Sequence, residues 1–223
     1  MPNHVINRVT IRGEEAAVAA ALADLIDERD PEAEVDFGRL VPMPAELDVE
    51  DRSDAQIAFE ALHGDWRRVA AYAWVPEAAR ESREALVGFL REQYGEEAFR
   101  LAERYRDNIA RHGHATWYGW CVEHWGTKWN AYHSEVTARE PGLASVEFQT
   151  AWAEPEPVVT RLSAKHPRVE VLHRFADEFL NFCGWRRYLR GRVVERASGP
   201  GSWLAELGFT AGQIAEAAEA EAL

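Results

Sequence analysis

The chain is poor in cysteine and has no long apolar run, and both shortages exclude classes of protein. Its 223 residues include only two cysteines, Cys121 and Cys183. A chain of this size buries enough surface to fold without cross-links, so we expect both thiols to be free. The longest apolar run is far shorter than the roughly 20 residues that a membrane helix needs, and the first residues lack the features of a signal peptide. We therefore expect a cytoplasmic protein that makes no membrane contact.

The motifs of well-defined enzyme classes are also missing. The sequence contains no Walker loop, no Gly-x-Ser-x-Gly elbow, no His-Glu-x-x-His and no dinucleotide fingerprint. An acid, a base and a phosphate clamp could still be assembled from Glu123, His124, Lys128, Asp177 and Glu178. Because the sequence fixes no geometry among these five, we predict no catalytic residue and no cofactor, while an enzymatic site around His124 and Lys128 stays an alternative.

Positive charge is scarce and unevenly placed. Lys and Arg number 25 against 38 Asp and Glu, which gives a net charge of -13. Residues 1–60 carry fifteen acidic and five basic side chains, whereas residues 161–196 carry nine basic and four acidic ones. Because an acidic surface repels nucleic acid, we expect any nucleic-acid contact to lie in the basic segment. The alternative is that the acidity only keeps the protein soluble.

Tryptophan, in contrast, is concentrated in one place, because four of the nine tryptophans lie within Trp117–Trp129. The aromatic residues recur at helical spacing until Gly126, so we predict a helix that ends there. The turn at Gly126 would then present Lys128 between two indoles, which suits a cation–π contact or a phosphate beside a stacked base. The alternative is that the indoles only pack an insertion onto a sheet. Packing accounts for the indoles better than for Lys128, because a lysine is rarely buried without a partner. If Lys128 is buried, three carboxylates are candidates for that partner: Glu123, Glu147 and Glu178.

Four potential zinc ligands lie close together in the same region. Cys121 and His124 are three residues apart, and His112 and His114 lie just upstream. Four such ligands can form a tetrahedral site, but structural zinc sites usually contain pairs of cysteines. We therefore predict no metal and keep these residues as weak candidates.

The rest of the chain alternates between strand and helix patterns. Before the tryptophans, the pattern predicts a strand at Asn3–Arg12, a helix at Glu14–Glu28, a second strand at Val35–Val41, and only helical stretches from Asp54 to His112, broken near Gly64, Pro76 and Gly95. After them it predicts strands at Ser145–Trp152, Val169–Phe175, Phe182–Leu189 and Val193–Arg196, and helices at Val158–Lys165 and from Ala211 to Leu223. In the strand at Ser145–Trp152, alternation places Val146, Phe148, Thr150 and Trp152 on one face.

This order predicts an α+β fold, a ferredoxin-like sandwich of an antiparallel sheet and two helices. A large helical insertion would follow the second strand, and extra strands would be appended at the C-terminus. We predict a ferredoxin-like core in residues 1–49 and 117–197, an inserted helical subdomain in residues 50–116, and a C-terminal helical tail in residues 198–223.

Several short motifs carry a resemblance to a known family. They are Asn7–Ile11, Val41–Pro44, Trp125–Asn130, Phe148–Trp152 with Pro155 and Pro157-Val158, and Asn181–Gly184. In this order they resemble the YubB-like ferredoxin-like domain family over about two thirds of the chain, without residues 50–116 and the segment after Arg196. The sequence departs from the family pattern at Glu156, where a second proline is common, and at His4, where an aromatic residue is. The resemblance implies a ferredoxin-like fold and a gene carried by a plasmid or bacteriophage, and it assigns no activity.

Together these observations favour a non-catalytic binding protein of a mobile element that acts on a host protein through its acidic surface. Candidate ligand or partner residues are His124, Trp125, Lys128, Trp129, Trp152, Glu178 and Asn181. The alternative is a single-stranded nucleic-acid-binding module that uses a basic aromatic hairpin. Its candidate residues are Arg174, Trp185, Arg186, Arg187, Tyr188, Arg190 and Arg192. Self-association stays open.

Overall fold

The computed structural model describes residues 3–27 and 34–221, with side chains described up to residue 220. The predicted helix ends at Glu28 and Leu223 lie outside the described residues. The described chain divides into two compact units, one formed by its residues up to Pro42 and from Cys121 onward, and the other by Met43–Trp120. No helix within these described residues is long and apolar enough to cross a membrane.

Outside the second unit the chain forms both strands and helices, as the sequence predicted. In chain order they are β1 (His4–Gly13), α1 (Glu15–Ala23), α2 (Ser53–His63), α3 (Trp66–Ala70), α4 (Glu77–Arg80), α5 (Arg83–His112), α6 (Trp117–Trp125), β2 (Tyr132–Glu140), β3 (Leu143–Ala151), α7 (Glu156–Lys165), β4 (Val169–Asp177), β5 (Cys183–Leu189), β6 (Arg192–Ser198) and α8 (Ala211–Glu221). Three short 3₁₀ helices lie at Phe37–Arg39, Ala45–Leu47 and Ser202–Leu207.

The first unit is built on an antiparallel sheet with the strand order β2-β3-β1-β4-β5-β6 among the described residues. Its first four strands and the helices α1 and α7 form the β-α-β-β-α-β arrangement of a ferredoxin-like sandwich. The last two strands, β5 and β6, extend the sheet beside β4. The predicted α+β ferredoxin-like fold with appended C-terminal strands is therefore confirmed.

The prediction of a second strand at Val35–Val41 is wrong. The segment forms a 3₁₀ turn, because the Asp36 carboxylate accepts the N–H of Gly38 at 2.8 Å and the Asn130 side chain accepts the N–H of Phe37 at 2.9 Å. The second strand of the fold is β2, whose side chains alternate between half-buried and exposed. The helical insertion consequently precedes the second strand instead of following it.

The alternation predicted for β1 is confirmed, because its residues on one face are all buried: Val5, Asn7, Val9 and Ile11. This face of the sheet carries α1 and α7. On the opposite face, the segment after β6 packs Leu204, Leu207 and Phe209 against Ala176 and Cys183. The two faces of the sheet are thus covered by different parts of the chain.

The second unit is helical, as its sequence predicted. α2 ends at Gly64, α4 begins after Pro76, and α5 bends at Gly95, which has a φ of 77°. Glycine is suited to that backbone conformation, since other residues adopt positive φ at a cost. The unit has its own apolar core, which includes Leu86, Leu90 and Phe99.

Candidate functional site

The tryptophan-rich segment divides into a buried part and an exposed part. Trp125, at the end of α6, is 7% exposed, and its indole N–H donates to the Val41 carbonyl at 2.9 Å. Its ring also meets Phe37 edge to face at 5.9 Å between centroids. Trp120 is buried as well, so packing explains these two indoles. Trp129, in contrast, is 41% exposed.

The turn that follows α6 fixes where the exposed part begins. Gly126 has a φ of +82°, the left-handed conformation that commonly ends a helix. Thr127 is buried, and its hydroxyl donates to the Ala151 carbonyl at the end of β3 at 2.8 Å. The turn is therefore attached to the sheet immediately before the chain emerges at Lys128.

Replacing Gly126 with alanine should destabilise the protein strongly. A Cβ at this position would lie 2.8 Å from Cδ of Pro157 and 3.0 Å from the Glu154 carbonyl oxygen. The left-handed backbone costs about 1–2 kcal/mol for alanine, and the overlap adds about 1–3 kcal/mol. Gly208→Ala is the matched control, because Gly208 has a φ of +89° and no atom within 4 Å of its added Cβ. Equal losses of unfolding free energy in the two variants, measured by chemical denaturation, would show that the contact at Gly126 is unimportant.

The Lys128 ammonium lies between two indole rings, but only Trp129 belongs to the pair that flanks the predicted turn, and the second ring is Trp152 in place of Trp125. Its Nζ is 3.8 Å from the ring centroid of Trp129 and 3.7 Å from that of Trp152. Both distances are within the range of a cation–π contact. Of the carboxylates considered as its partner, Glu147 instead binds Arg8 at 2.8 Å. We refer to Trp129, Lys128 and Trp152 as the indole clamp.

Trp152 was predicted to end the strand and to share a face with Val146, Phe148 and Thr150, and that prediction is wrong. β3 ends at Ala151, and Trp152 adopts a φ of 72° that turns its side chain away from the strand's alternation. Its ring is 50% exposed, while Thr150 on the predicted face is fully buried. The backbone N–H of Trp152 donates to the Asn3 carbonyl at 3.0 Å, which holds this unusual conformation.

The connection between β4 and β5 contains two more of the predicted partner residues, Glu178 and Asn181, in structural roles. Glu178 accepts the His4 N–H at 2.9 Å. Asn181 donates its side-chain and backbone N–H groups, both at 2.9 Å, to the buried carboxylate of Asp177. Because Asn3 directly precedes His4, the first residue of β1, this connection lies near the backbone that anchors Trp152. Sequence reasoning missed Phe179 in this connection, whose ring is 70% exposed.

The weak zinc candidates are distributed over both units. His112 and His114 belong to the second unit, whereas Cys121 and His124 belong to the first. Burial raises the pKa of the Cys121 thiol to about 11, which favours the protonated form over the thiolate that zinc requires. Cys121 and Cys183 are not joined in a disulfide, as expected, and both are buried.

The basic hairpin has intramolecular partners, which the nucleic-acid hypothesis did not anticipate. Arg174 binds Glu206 at 3.1 Å, Arg186 binds Glu154 at 2.9 Å, and Arg187 binds Glu170 at 3.1 Å and Glu195 at 2.8 Å. These pairs neutralise much of the charge that phosphate binding would use. Exposed side chains at Arg190 and Arg192 remain.

Tyr188, a candidate nucleic-acid residue, is fully buried and therefore offers no ring to a nucleic acid. Tyr188 lies opposite Val171 in the register of β4 and β5, which places it on the face covered by α7. Trp185 lies opposite Arg174 on the other face and is half-buried. The hairpin therefore does not present the two rings on one surface.

A buried polar chain beneath the sheet was also missed. His173 is fully buried, and its Nε2 lies 3.0 Å from the side-chain oxygen of Asn7. The Asn7 amide donates to the Thr150 hydroxyl at 2.9 Å, and Thr150 donates to the Ala153 carbonyl at 2.7 Å. Because the Asn7 oxygen is an acceptor, Nε2 of His173 carries the proton. Burial, together with the charge of Arg186, lowers the pKa of His173 to about 3.

The C-terminal part of the sequence is similar to known proteins. Residues 124–212 match a family described as "Ferredoxin-like domain in Api92-like protein". The uncharacterized protein YubB of Escherichia coli (strain K12) is 31% identical over 87 residues, which cover 39% of this chain and 60% of YubB. The chain thus matches less than two thirds of that relative's length.

A solved structure is similar over most of the chain. The crystal structure of the protein api92 from Yersinia pseudotuberculosis superposes with a TM-score of 0.50, covering 91% of this chain and 99% of that one, at 14% sequence identity. At this identity the likeness concerns the fold. The resemblance to the YubB-like family that the sequence motifs indicated is confirmed.

Proposed function

We propose that this chain, whose residues 124–212 match the family of ferredoxin-like domains in Api92-like proteins, is a non-catalytic binding protein that uses the indole clamp as its contact surface. One observation carries the proposal. Trp129 and Trp152 expose 41% and 50% of their surface while they hold the ammonium of Lys128 between them. Tryptophan side chains that stay exposed on a rigid frame are typical of the energetic centre of an interface.

The frame of the clamp supports a binding role. Trp152 is attached through its backbone to Asn3, and the segment that carries Trp129 is attached through Thr127 to Ala151. A surface whose side chains are already positioned loses little conformational entropy when a partner binds. A strained backbone such as that of Trp152, with a φ of 72°, also costs free energy that folding must offset, as is common at functional sites.

Charge favours a basic protein as the partner. The net charge of -13 attracts cationic surfaces and repels nucleic acid over the range of the Debye length. The ion pairs of the C-terminal hairpin and the buried ring of Tyr188 leave the nucleic-acid alternative with less support than the sequence suggested. The proposal includes the expectation, taken from the family resemblance, that a plasmid or phage gene encodes the protein and that it acts on a host protein in the cytoplasm.

Replacing Trp152 with alanine should abolish capture of this partner from a lysate of the host cell. An anchor tryptophan contributes about 2 kcal/mol or more to an interface, so the affinity should fall by at least about 30-fold. The measurement is quantitative mass spectrometry of proteins retained by the immobilised wild type and by the variant.

Val194→Ala is the control, because Val194 is 48% exposed on the edge strand β6, away from the clamp in sequence. A protein retained by the wild type and by Val194→Ala but lost with Trp152→Ala would support the proposal. Equal retention of every protein by all three chains would contradict it.

A further inference from the structure

The space between the two indoles of the clamp is a slot for a cation, and in this structure the ammonium of Lys128 occupies it. The Lys128 ammonium lies within 3.8 Å of the centroids of both Trp129 and Trp152, which is close for a cation–π contact. We propose that Lys128 occupies this slot only in the free protein, and that a lysine or arginine side chain of a basic partner displaces it. This inference rests on the proposed function, and it names the chemical group that the partner contributes.

The slot is held by bonds that do not involve Lys128. The hydroxyl of Thr127 donates to the Ala151 carbonyl at 2.8 Å, and the N–H of Trp152 donates to the Asn3 carbonyl at 3.0 Å. These bonds fix the two chain segments that carry the indoles. Departure of the Lys128 side chain therefore leaves the backbone positions of Trp129 and Trp152 unchanged.

Exchange of one cation for another is energetically accessible. Cation–π contacts at exposed sites are weak, and both indoles here are open to solvent. Lys128 is also long and flexible, so its ammonium can swing into water without backbone movement. A cation of the partner has only this weak internal contact to displace. The partner also brings additional contacts and favourable long-range electrostatics, which compensate for the loss.

The experiment empties the slot and offers it an external cation. In Lys128→Gln, the ammonium is removed while a side chain of similar length is kept. The probe is the tetramethylammonium ion, compared at constant ionic strength with tert-butanol, a neutral molecule of similar shape. Binding is followed through the indole N–H signals of protein labelled with ¹⁵N-tryptophan, assigned by Trp129→Phe and Trp152→Phe.

The variant should bind tetramethylammonium about tenfold more tightly than the wild type, because two exposed cation–π contacts no longer compete. The shifts should be confined to the signals of Trp129 and Trp152, and tert-butanol should not reproduce them. Lys128→Arg, which keeps a cation in the slot, should behave like the wild type. If Lys128→Gln responds no more than the wild type, or responds equally to tert-butanol, the inference is wrong.

The captured partner provides a second readout that separates this inference from the proposed function. Lys128→Gln should bind the partner more tightly if the partner supplies a cation. Weaker binding by Lys128→Gln would mean that the partner contacts Lys128 with an anionic group, which would overturn the cation slot but not the binding function. The opposite outcome is also informative. If Lys128→Gln binds tetramethylammonium but no captured protein is lost with Trp152→Ala, the cation slot is supported and the proposed function is contradicted.

Discussion

Replacing Phe37 with alanine should lower the free energy of unfolding of the first unit by about 3–5 kcal/mol. The Phe37 ring is fully buried and meets Trp125 and Phe148 edge to face, with centroids 5.9 and 5.8 Å away. The substitution removes both contacts and leaves a cavity in a core that cannot fully collapse. The measurement is equilibrium denaturation in urea followed by circular dichroism.

The same substitution at an exposed ring gives the control. Phe179 is 70% exposed, so Phe179→Ala should change the unfolding free energy by less than about 1 kcal/mol. If Phe37→Ala cost no more than Phe179→Ala, the segment around Phe37 would not be part of the core, and the position of the 3₁₀ turn would be wrong.

Acidification should destabilise the first unit through His173, by about 2 kcal/mol between pH 7 and pH 5. The pKa of His173 is about 3 in the folded protein and 6.5 as its ordinary value, because burial disfavours the charged ring. Between these values the unfolded chain binds a proton that the folded chain does not, so stability falls as the pH falls. The loss begins near the unfolded pKa and is complete below the folded pKa.

The contribution of His173 is isolated by comparison with His173→Gln, whose side-chain amide can still donate to the Asn7 oxygen. We expect the variant to be less stable than the wild type at pH 7 and to lose less stability between pH 7 and pH 5. Urea denaturation at each pH gives the slope of the unfolding free energy against pH for the wild type and for the variant. Parallel slopes would mean that His173 is not buried as a neutral ring.

The strands were predictable where one face of the sheet is buried. Alternation identified β1 and β3 to within about two residues, because a half-buried strand alternates apolar and polar side chains. β2 lies at the edge of the sheet, and its polar side chains give little alternation of hydrophobicity. The apolar residues of Val35–Val41 follow a pattern typical of a strand. Their backbone N–H groups, however, donate to the side chains of Asp36 and Asn130, and a local sequence pattern does not reveal these hydrogen bonds.

The candidate site was predictable only in part. The sequence identified Lys128 and Trp129, because Gly126 marks the end of a helix and a lysine among indoles is costly to bury without a reason. It did not identify Trp152 as the second ring, because this depends on the hydrogen bond from Thr127 to Ala151 and on a positive φ at a residue that rarely adopts one. Only the tertiary structure reveals this hydrogen bond and this backbone conformation.

The affinity of the captured partner for Trp152→Ala tests the binding role of the indole clamp most directly. Isothermal titration calorimetry with the purified partner should give a dissociation constant at least about 30-fold larger for Trp152→Ala than for the wild type, and an unchanged one for Val194→Ala. Circular dichroism and the melting temperature would establish that each variant is folded. Equal affinities for the wild type and a folded Trp152→Ala would contradict a binding role of the indole clamp.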